Sequence, residues 1–215
     1  MHAGVVDQIQ HTNNRKHQQP KLKNPPIKKR LFSTTAPITQ VKLLKWITRE
    51  YVHVDRTACP WLIRKFIDPK AEFIFAPTEK IEEIAKTKEA IPFDAPEVRL
   101  GHRNGKCSFE TIIEEYNLKD PVLHELAKIV HSADTSDAAL SPEGTGLNAI
   151  MTGARFDAKD DFEAVEKAEY VYEALYSYCK FKLLREKYKN ELEKMDRKQQ
   201  SEFLRRKMEE WKKVS

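Results

Sequence analysis

Apolar residues form short runs in the first half of the chain. Runs of strand length occupy residues 43–48, 71–76, 91–94 and 98–102. Runs of about four to eight such residues, bounded by Pro, Asp or charged residues, are typical of strands in small sheets. The sequence therefore predicts three or four short strands, all of them before residue 103.

Apolar residues at helical spacing follow these runs. Helical segments begin at Asp55, Thr78, Ser108 and Pro121, and two more span residues 142–153 and 160–180. Asp55 and Ser108 are residue types that commonly cap helix N-termini, and Pro121 suits a first helical turn. Strands followed mostly by helices predict an α/β (α+β) fold, in which a small sheet of three to four strands is covered by a helical layer.

Residues 181–215 continue as a long, highly charged C-terminal helix. Its apolar residues recur every three or four positions within two runs: Leu184, Tyr188, Leu192, Met195, Phe203, Leu204, Met208 and Trp211. Such a stripe is usually buried against another surface. Two interpretations stay open. The helix lies back on the globule or frays into solvent, or it pairs with a second copy in a homodimeric coiled coil, for which the heptads are few.

Charge divides the chain into three segments. The 215 residues include 38 Lys and Arg and 33 Asp and Glu, a net charge of +5, and 40% are hydrophobic. Residues 1–40 hold seven basic residues and one acidic (+6), residues 181–215 twelve and seven (+5), and residues 41–180 nineteen and twenty-five (−6). We therefore predict one acidic domain, 41–180, between a basic leader and a charged helical extension. Because the basic charge lies in the ends, it does not indicate a nucleic-acid-binding domain.

Residues 1–40 have the composition of a disordered segment. They are rich in Gln, Asn, His and Lys, and their apolar residues are too scattered to form a helical face. Residues 28–36 combine basic and hydroxyl side chains without acids, and the tetrapeptide R-L-F-S at 30–33 is similar to a mitochondrial processing pattern. We expect a mitochondrial presequence, the alternative being a basic linker on a cytoplasmic protein, and we expect the domain to fold without it.

The sequence lacks the signatures of several protein classes. No run of about 18 consecutive apolar residues is present, so no membrane span is expected. The three cysteines, Cys59, Cys107 and Cys179, lie too far apart for a disulfide framework or a paired C-x-x-C zinc site, and a reducing compartment is expected. Gly-rich phosphate-binding motifs are absent, so no nucleotide cofactor is expected.

A candidate anion site lies at the start of the first predicted helix. Cys59 follows Arg56 there, and a helix N-terminus beside a guanidinium group binds anions and lowers the pKa of a thiol. Arg49, from the preceding strand, is a further candidate anion ligand. The alternative is structural: Cys59 packs as a small buried residue and Arg56 pairs with a carboxylate on another element.

A candidate metal site combines histidines with a carboxylate. His131 and Asp134 are one helical turn apart (H-x-x-D), so their side chains face one direction. His102 ends a predicted strand, five residues before Cys107. Imidazole, carboxylate and thiolate suit zinc or another divalent transition metal, so His102, His131 and Asp134 are candidate ligands. Because the spacing matches no established metal motif, hydrogen-bonded structural histidines are the alternative.

The most distinctive motif is V-H-V-D-R-T-A-C-P-W-L-I-R-K-F-I-D-P at residues 52–69. It is accompanied by P-F-D at 92–94, L-G-H-R at 100–103, C-S-F-E at 107–110 and I-V-H-S-A-D at 129–134. Together these motifs closely resemble the ChrB C-terminal domain of the chromate-resistance protein family, over residues 46–180. The resemblance implies a chromate-responsive resistance or regulatory role. It does not extend to the regulator-like N-terminal domain of longer members, so no direct nucleic-acid binding is expected.

The residues support three functional hypotheses. The first is an oxyanion- or metal-responsive protein, in which Arg49, Arg56 and the helix start at Cys59 bind a small oxyanion such as chromate. The second is a metal- or thiol-dependent redox enzyme that detoxifies an oxidant, with Cys59 and Cys107 as candidate catalytic thiols. The third is an interaction protein that acts through the C-terminal helix.

Overall fold

A small parallel sheet covered by helices confirms the α/β class expected from the sequence. The computed structural model describes residues 43–135, 137 and 139–214, with side chains up to residue 211. The predicted leader and its processing pattern lie outside the described residues. Among the described residues, no helix is both long enough and apolar enough to cross a membrane.

Within the described residues the sheet has three strands, and the first of them in sequence lies in the middle. β1 (Lys45–Arg49) pairs in parallel with β2 (Glu72–Ala76) on one side and with β3 (Ala90–Pro92) on the other. The fourth predicted strand, 98–102, is not formed: only an isolated bridge joins this segment to residue 93. The backbone is left-handed at residues 94 and 97, which turns the chain away from an extended course.

Helices cover both faces of this sheet. They are α1 (Val54–Phe66), α2 (Ile81–Lys88), α3 (Ser108–Glu115), α4 (Pro121–Thr135), α5 (Glu143–Asp157), α6 (Asp161–Lys187), α7 (Lys189–Leu192) and α8 (Arg197–Val214), with a 3₁₀ turn at Thr78–Lys80. Because side chains alternate across a strand, Trp46 lies in the main core with α1, whereas Ile47 lies in a smaller cluster with α2. Helices α3, α4 and α6 pack around α1 and complete the main core.

Two helix starts differ from the prediction. α1 begins before Asp55, with His53 as its N-cap, and the N-cap of α3 is Cys107 instead of Ser108. Asp55 and Ser108 are both buried; the Ser108 N–H donates to Asp55, and the Ser108 hydroxyl donates to a third residue, Asp94. Contacts between distant segments therefore override the local capping preference of these two residues.

The charged C-terminal extension folds back on its own chain. Leu184 of α6, Leu192 of α7 and Leu204 of α8 form a small buried cluster, against which Phe203 and Trp211 pack. The apolar stripe is therefore used within the chain, as in the first of the two interpretations. Homodimerisation through this helix stays a prediction.

The strand order changes direction next to β1. The chain passes from β1 through α1 to β2, and then through α2 to β3, which lies on the other side of β1. The carboxyl ends of the parallel neighbours β1 and β3 therefore lie side by side where the strand order changes direction. In open α/β sheets, ligands bind at such a switch in strand order.

Gly144 determines how closely α5 approaches α4. A Cβ atom at Gly144 would lie 2.3 Å from Ser132 Oγ and 2.8 Å from the Ala133 amide nitrogen. We predict that Gly144→Ala lowers the free energy of unfolding by about 1–3 kcal/mol, because the Ala133 backbone cannot withdraw without moving α4. A Cβ atom at Gly146 would have no atom within 4 Å. Gly146→Ala should therefore raise the free energy of unfolding by up to about 1 kcal/mol, because Ala favours a helix more than Gly does. Urea unfolding measures both, and equal effects would contradict the close packing.

Candidate functional site

The loop between β1 and α1 has an unusual backbone conformation. Tyr51 is left-handed, with a φ of 59°, which bulky residues rarely adopt. The N–H groups of Tyr51 and Val52 donate to the Asp161 carboxylate at 3.0 and 2.8 Å, and Asp161 is the first residue of α6. The start of α6 therefore holds this loop, and with it the positions of Arg49 before the loop and Arg56 after it.

A buried carboxylate, that of Asp94, lies between these two arginines. Asp94 is 2% exposed, and its Oδ2 accepts hydrogen bonds from Arg49 Nη2 and Arg56 Nη1, each at 3.0 Å. The Ser108 hydroxyl donates to Oδ1 at 2.7 Å. Burial by itself would raise the pKa of Asp94, but the His102 hydrogen bond, the two guanidinium groups and the Ser108 hydroxyl outweigh burial. Together they hold the pKa of Asp94 well below its usual range.

His102 connects Asp94 to two further carboxylates. Its Nε2 lies 3.2 Å from Asp55 Oδ2, 3.1 Å from Asp134 Oδ2 and 3.5 Å from Asp94 Oδ1. Because these neighbours accept hydrogen bonds, Nε2 carries a proton, and the bonds to Asp55 and Asp94 raise the pKa of His102 to about 10. Burial raises the pKa of Asp55, and burial with the nearby carboxylates raises that of Asp134 to about 7. We call Asp55, Asp94, His102 and Asp134 the aspartate cluster.

A second group of potential ligands lies between α3 and α4. The Cys107 N–H donates to Glu110 Oε2 at 3.0 Å, and Cys107 Sγ accepts the Glu110 N–H. His131 Nδ1, from α4, lies 2.5 Å from the same Glu110 oxygen. The ligand atoms of Cys107, Glu110 and His131 all lie within 4.8 Å of one another. We call these three residues the cysteine cluster.

Comparison with known proteins places the chain in a family. Residues 46–179 match the family described as ChrB, C-terminal domain. The chain belongs to the ChrB C-terminal domain family. Protein ChrB of Cupriavidus metallidurans is 32% identical to it over 142 residues, which are 65% of this chain and 42% of that protein. The chain therefore spans about two fifths of that relative's length, and no solved structure matches it.

In this ChrB C-terminal domain, the predicted metal ligands fall into two groups. His102 and Asp134 lie together with Asp55, whereas His131 lies in the cysteine cluster. The two side chains of the H-x-x-D turn on α4 thus serve different clusters. Two adjacent residues at the start of α3 are divided in the same way: Ser108 hydrogen-bonds to Asp55 and Asp94, whereas Cys107 belongs to the cysteine cluster.

The predicted anion ligands are brought together only in part. Arg49 and Arg56 converge, but on Asp94 and not at Cys59. Cys59 lies in the second turn of α1 and is fully buried, and burial raises its pKa, so the expected thiolate at Cys59 is wrong. This arrangement agrees with the alternative interpretation, in which Cys59 packs as a small buried residue and Arg56 pairs with a carboxylate.

Two cluster residues are not identified by the sequence as site residues: Asp94 and Glu110. Asp55 is interpreted there as a helix cap, and Asp94 as the end of a strand. Asp94 directly follows the apolar residues of P-F-D, and Glu110 is three residues after Cys107, the spacing of a capping box. The position of Asp94 after the apolar residues and the spacing of Glu110 from Cys107 are the two sequence signals from which these residues could be found.

The aspartate cluster and its two arginines present cations to solvent and carboxylates to the interior. The side chains of His102, Arg49 and Arg56 are 49%, 34% and 16% exposed, whereas those of Asp55 and Asp94 are 1% and 2% exposed. An anion that approaches from solvent therefore meets N–H donors first. If His102 lost its proton, three ligand atoms of the cluster within 4.8 Å of one another could hold a divalent metal instead.

Asp94→Asn tests how far this pairing stabilises the domain. The substitution removes the charge between Arg49 and Arg56 but keeps the shape, and Asn tolerates the left-handed backbone at this position, where φ is 41°. We predict a loss of about 3 kcal/mol in the free energy of unfolding near neutral pH, because two partly buried cations lose their partner. Urea unfolding measures this loss.

The loss of unfolding free energy in Asp94→Asn should become smaller as the pH falls. Because the pKa of Asp94 is lowered on folding, its charge stabilises the native state fully above the unfolded value of about 3.9. That contribution declines as the pH falls toward the folded value, so wild type and Asp94→Asn should converge on acidification. Glu97→Gln removes an exposed charge from the same loop and serves as the control, with an effect within about 0.5 kcal/mol. A difference that widens on acidification would contradict the pairing.

Proposed function

We propose that this domain is the oxyanion-responsive part of a chromate-resistance-type protein. The observation that supports this most is the convergence of Arg49, Arg56 and protonated His102, which are all more exposed than Asp94, on the Asp94 carboxylate. Guanidinium groups and charged N–H donors are ligands that tetrahedral oxyanions favour. Chromate is the proposed anion because the family resemblance is to chromate-resistance proteins.

Asp94 occupies the position that an oxyanion would take. Its Oδ2 accepts an N–H from each arginine, and its Oδ1 accepts the Ser108 hydroxyl. The carboxylate is therefore bound as an external anion would be. A dianion such as chromate carries twice this charge and competes for the same donors. We infer that chromate takes over donors of Arg49 and Arg56 and releases Asp94.

The release of Asp94 would be transmitted through the loop of residues 93–107, which connects β3 to α3. The loop carries both Asp94 and His102, so it holds the internal anion and the most exposed cation of the site. The Asp94 carbonyl also accepts a hydrogen bond from Arg49 Nε at 2.8 Å, which ties the loop backbone to β1. An anion that displaces these contacts frees the loop, and this change is the proposed response.

Calorimetric titration of chromate into the full chain tests the proposal. We predict that Arg56→Gln weakens chromate binding by about tenfold or more, because a hydrogen bond to a charged group contributes about 1.5–3 kcal/mol. Arg64→Gln removes the same charge from the last turn of the same helix and leaves the affinity unchanged. Parallel titrations of sulfate and phosphate measure selectivity among tetrahedral anions. Equal chromate affinity in the three proteins, or binding by none, would overturn the proposal.

A divalent metal at the aspartate cluster is the second candidate. The observation that favours it is Asp55 Oδ1, which is buried and has no hydrogen-bond partner among the described residues. The ligand atoms of Asp55, His102 and Asp134 lie within 4.8 Å of one another, and an imidazole with carboxylates suits zinc, iron or manganese. A metal here requires His102 to lose its proton, so it competes with the anion complex.

Elemental analysis of protein purified without chelator separates these two candidates. The metal hypothesis predicts about one equivalent of a divalent transition metal, and a metal affinity reduced about tenfold or more by His102→Ala. His124→Ala, which removes an exposed histidine of α4, is the matched control and should retain the metal. Full retention of metal by His102→Ala would show that the aspartate cluster is not its site.

The remaining hypotheses have weaker support. Cys59 and Cys107 are fully buried, and burial raises the pKa of both thiols, which disfavours the thiolate that a thiol-dependent enzyme needs. The apolar residues of α8 pack on α6, which leaves less apolar surface for a partner. A mitochondrial location stays a proposal that rests on residues 1–40 alone.

A further inference from the structure

The cysteine cluster combines three kinds of metal ligand on two helices. We propose that Cys107, Glu110 and His131 bind a zinc ion or a similar divalent transition metal. The cluster shares no residue with the aspartate cluster or its arginines, so this site is independent of the proposed oxyanion response.

Helices α3 and α4 bring the three ligands close together. Cys107 and Glu110 lie one turn apart at the start of α3, and His131 faces them from α4. His131 Nδ1 is 2.5 Å from Glu110 Oε2, and the three ligand atoms lie within 4.8 Å of one another. Zinc–ligand bonds of about 2.0–2.3 Å place tetrahedral ligands about 3.3–3.8 Å apart. Side-chain rotations therefore suffice to bring the three atoms to coordinating distance.

The types of ligand in the cysteine cluster favour some metals over others. A thiolate and an imidazole bind zinc and its neighbours in the first transition row, whereas magnesium and calcium prefer oxygen ligands. Three protein ligands leave the fourth tetrahedral position to water. Because only a thiolate coordinates, each bound ion replaces the Cys107 thiol proton, which passes to solvent.

Cys107 is an unusual residue for the N-cap position of α3, which suggests a role beyond capping. N-cap positions favour Ser, Thr, Asp and Asn, whose oxygens accept free N–H groups of the first turn, whereas sulfur is a weak acceptor. Cys107 nevertheless holds this position, and the Glu110 N–H points at its sulfur. The positive end of the helix dipole stabilises negative charge there, as in a metal-bound thiolate.

The three ligands are buried to different degrees, and this difference suits a metal site. Cys107 is fully buried, whereas the side chains of His131 and Glu110 are 15% and 26% exposed. An ion can therefore reach the cluster past the imidazole and the carboxylate. The sulfur stays shielded from solvent oxidants.

Cobalt(II) binding to the full chain tests this proposal, because cobalt substitutes for zinc and reports its ligands. A thiolate ligand adds charge-transfer absorption in the near ultraviolet, and tetrahedral coordination gives intense visible bands. We expect both signals when chelator-treated protein is titrated with cobalt(II). Cys107→Ser should abolish the ultraviolet band, and His131→Gln should weaken cobalt(II) binding about tenfold or more.

Two control variants locate the signal. Cys179→Ser removes a buried thiol of α6, and His102→Ala removes the imidazole of the aspartate cluster; both should retain the ultraviolet thiolate band. Circular dichroism checks that each variant is folded, and Ser at residue 107 is itself a good N-cap. The proposal is overturned if wild type gives no thiolate band, if the band survives Cys107→Ser, or if it is lost in His102→Ala. Chromate titration of Cys107→Ser, expected to match wild type, separates failure of this site from failure of the oxyanion proposal.

Discussion

The charge of one buried carboxylate constrains the arrangement around it. Asp94 stays ionised in the interior only because cations and hydrogen-bond donors from other elements surround it. Arg49 comes from the end of β1, Arg56 from α1 and Ser108 from the start of α3. A charge in a low-dielectric interior is costly unless these partners are in place. Electrostatics, as well as apolar packing, therefore determines how β1, α1 and α3 meet.

The backbone of the site is held by residues that are distant in sequence. Tyr51 and Asp94 both have left-handed conformations, which cost about 1 kcal/mol or more and persist only where surrounding contacts impose them. For Tyr51 the contact is Asp161, 110 residues later in the chain. The site is therefore complete only when α6 has packed against the rest of the domain. We therefore expect the proposed ligand binding, like the stability of the domain, to depend on this helix.

The sequence predicted the elements that depend on local pattern and failed where distant contacts decide. Apolar spacing identified the three strands and the main helices, but 98–102 has the same local pattern without being a strand. His102 and Asp134 could be recognised as candidate ligands from residue type, and the structure places them together. The separation of His131 from Asp134 could not, because it depends on where α3 lies. The burial of Asp55 could not be predicted for a related reason: Asp is a common helix cap, and its burial follows only from tertiary packing.

The outer strand β3 has a consequence for how copies of this domain behave at high concentration. A strand at the edge of a sheet offers unpaired N–H and C=O groups, on which a strand from another molecule can add, and such addition begins aggregation. β3 has only three residues, and its last, Pro92, has no N–H to donate. The proposed anion site next to the ends of β1 and β3 can therefore bind a small ion while the neighbouring edge gives a second molecule little to pair with.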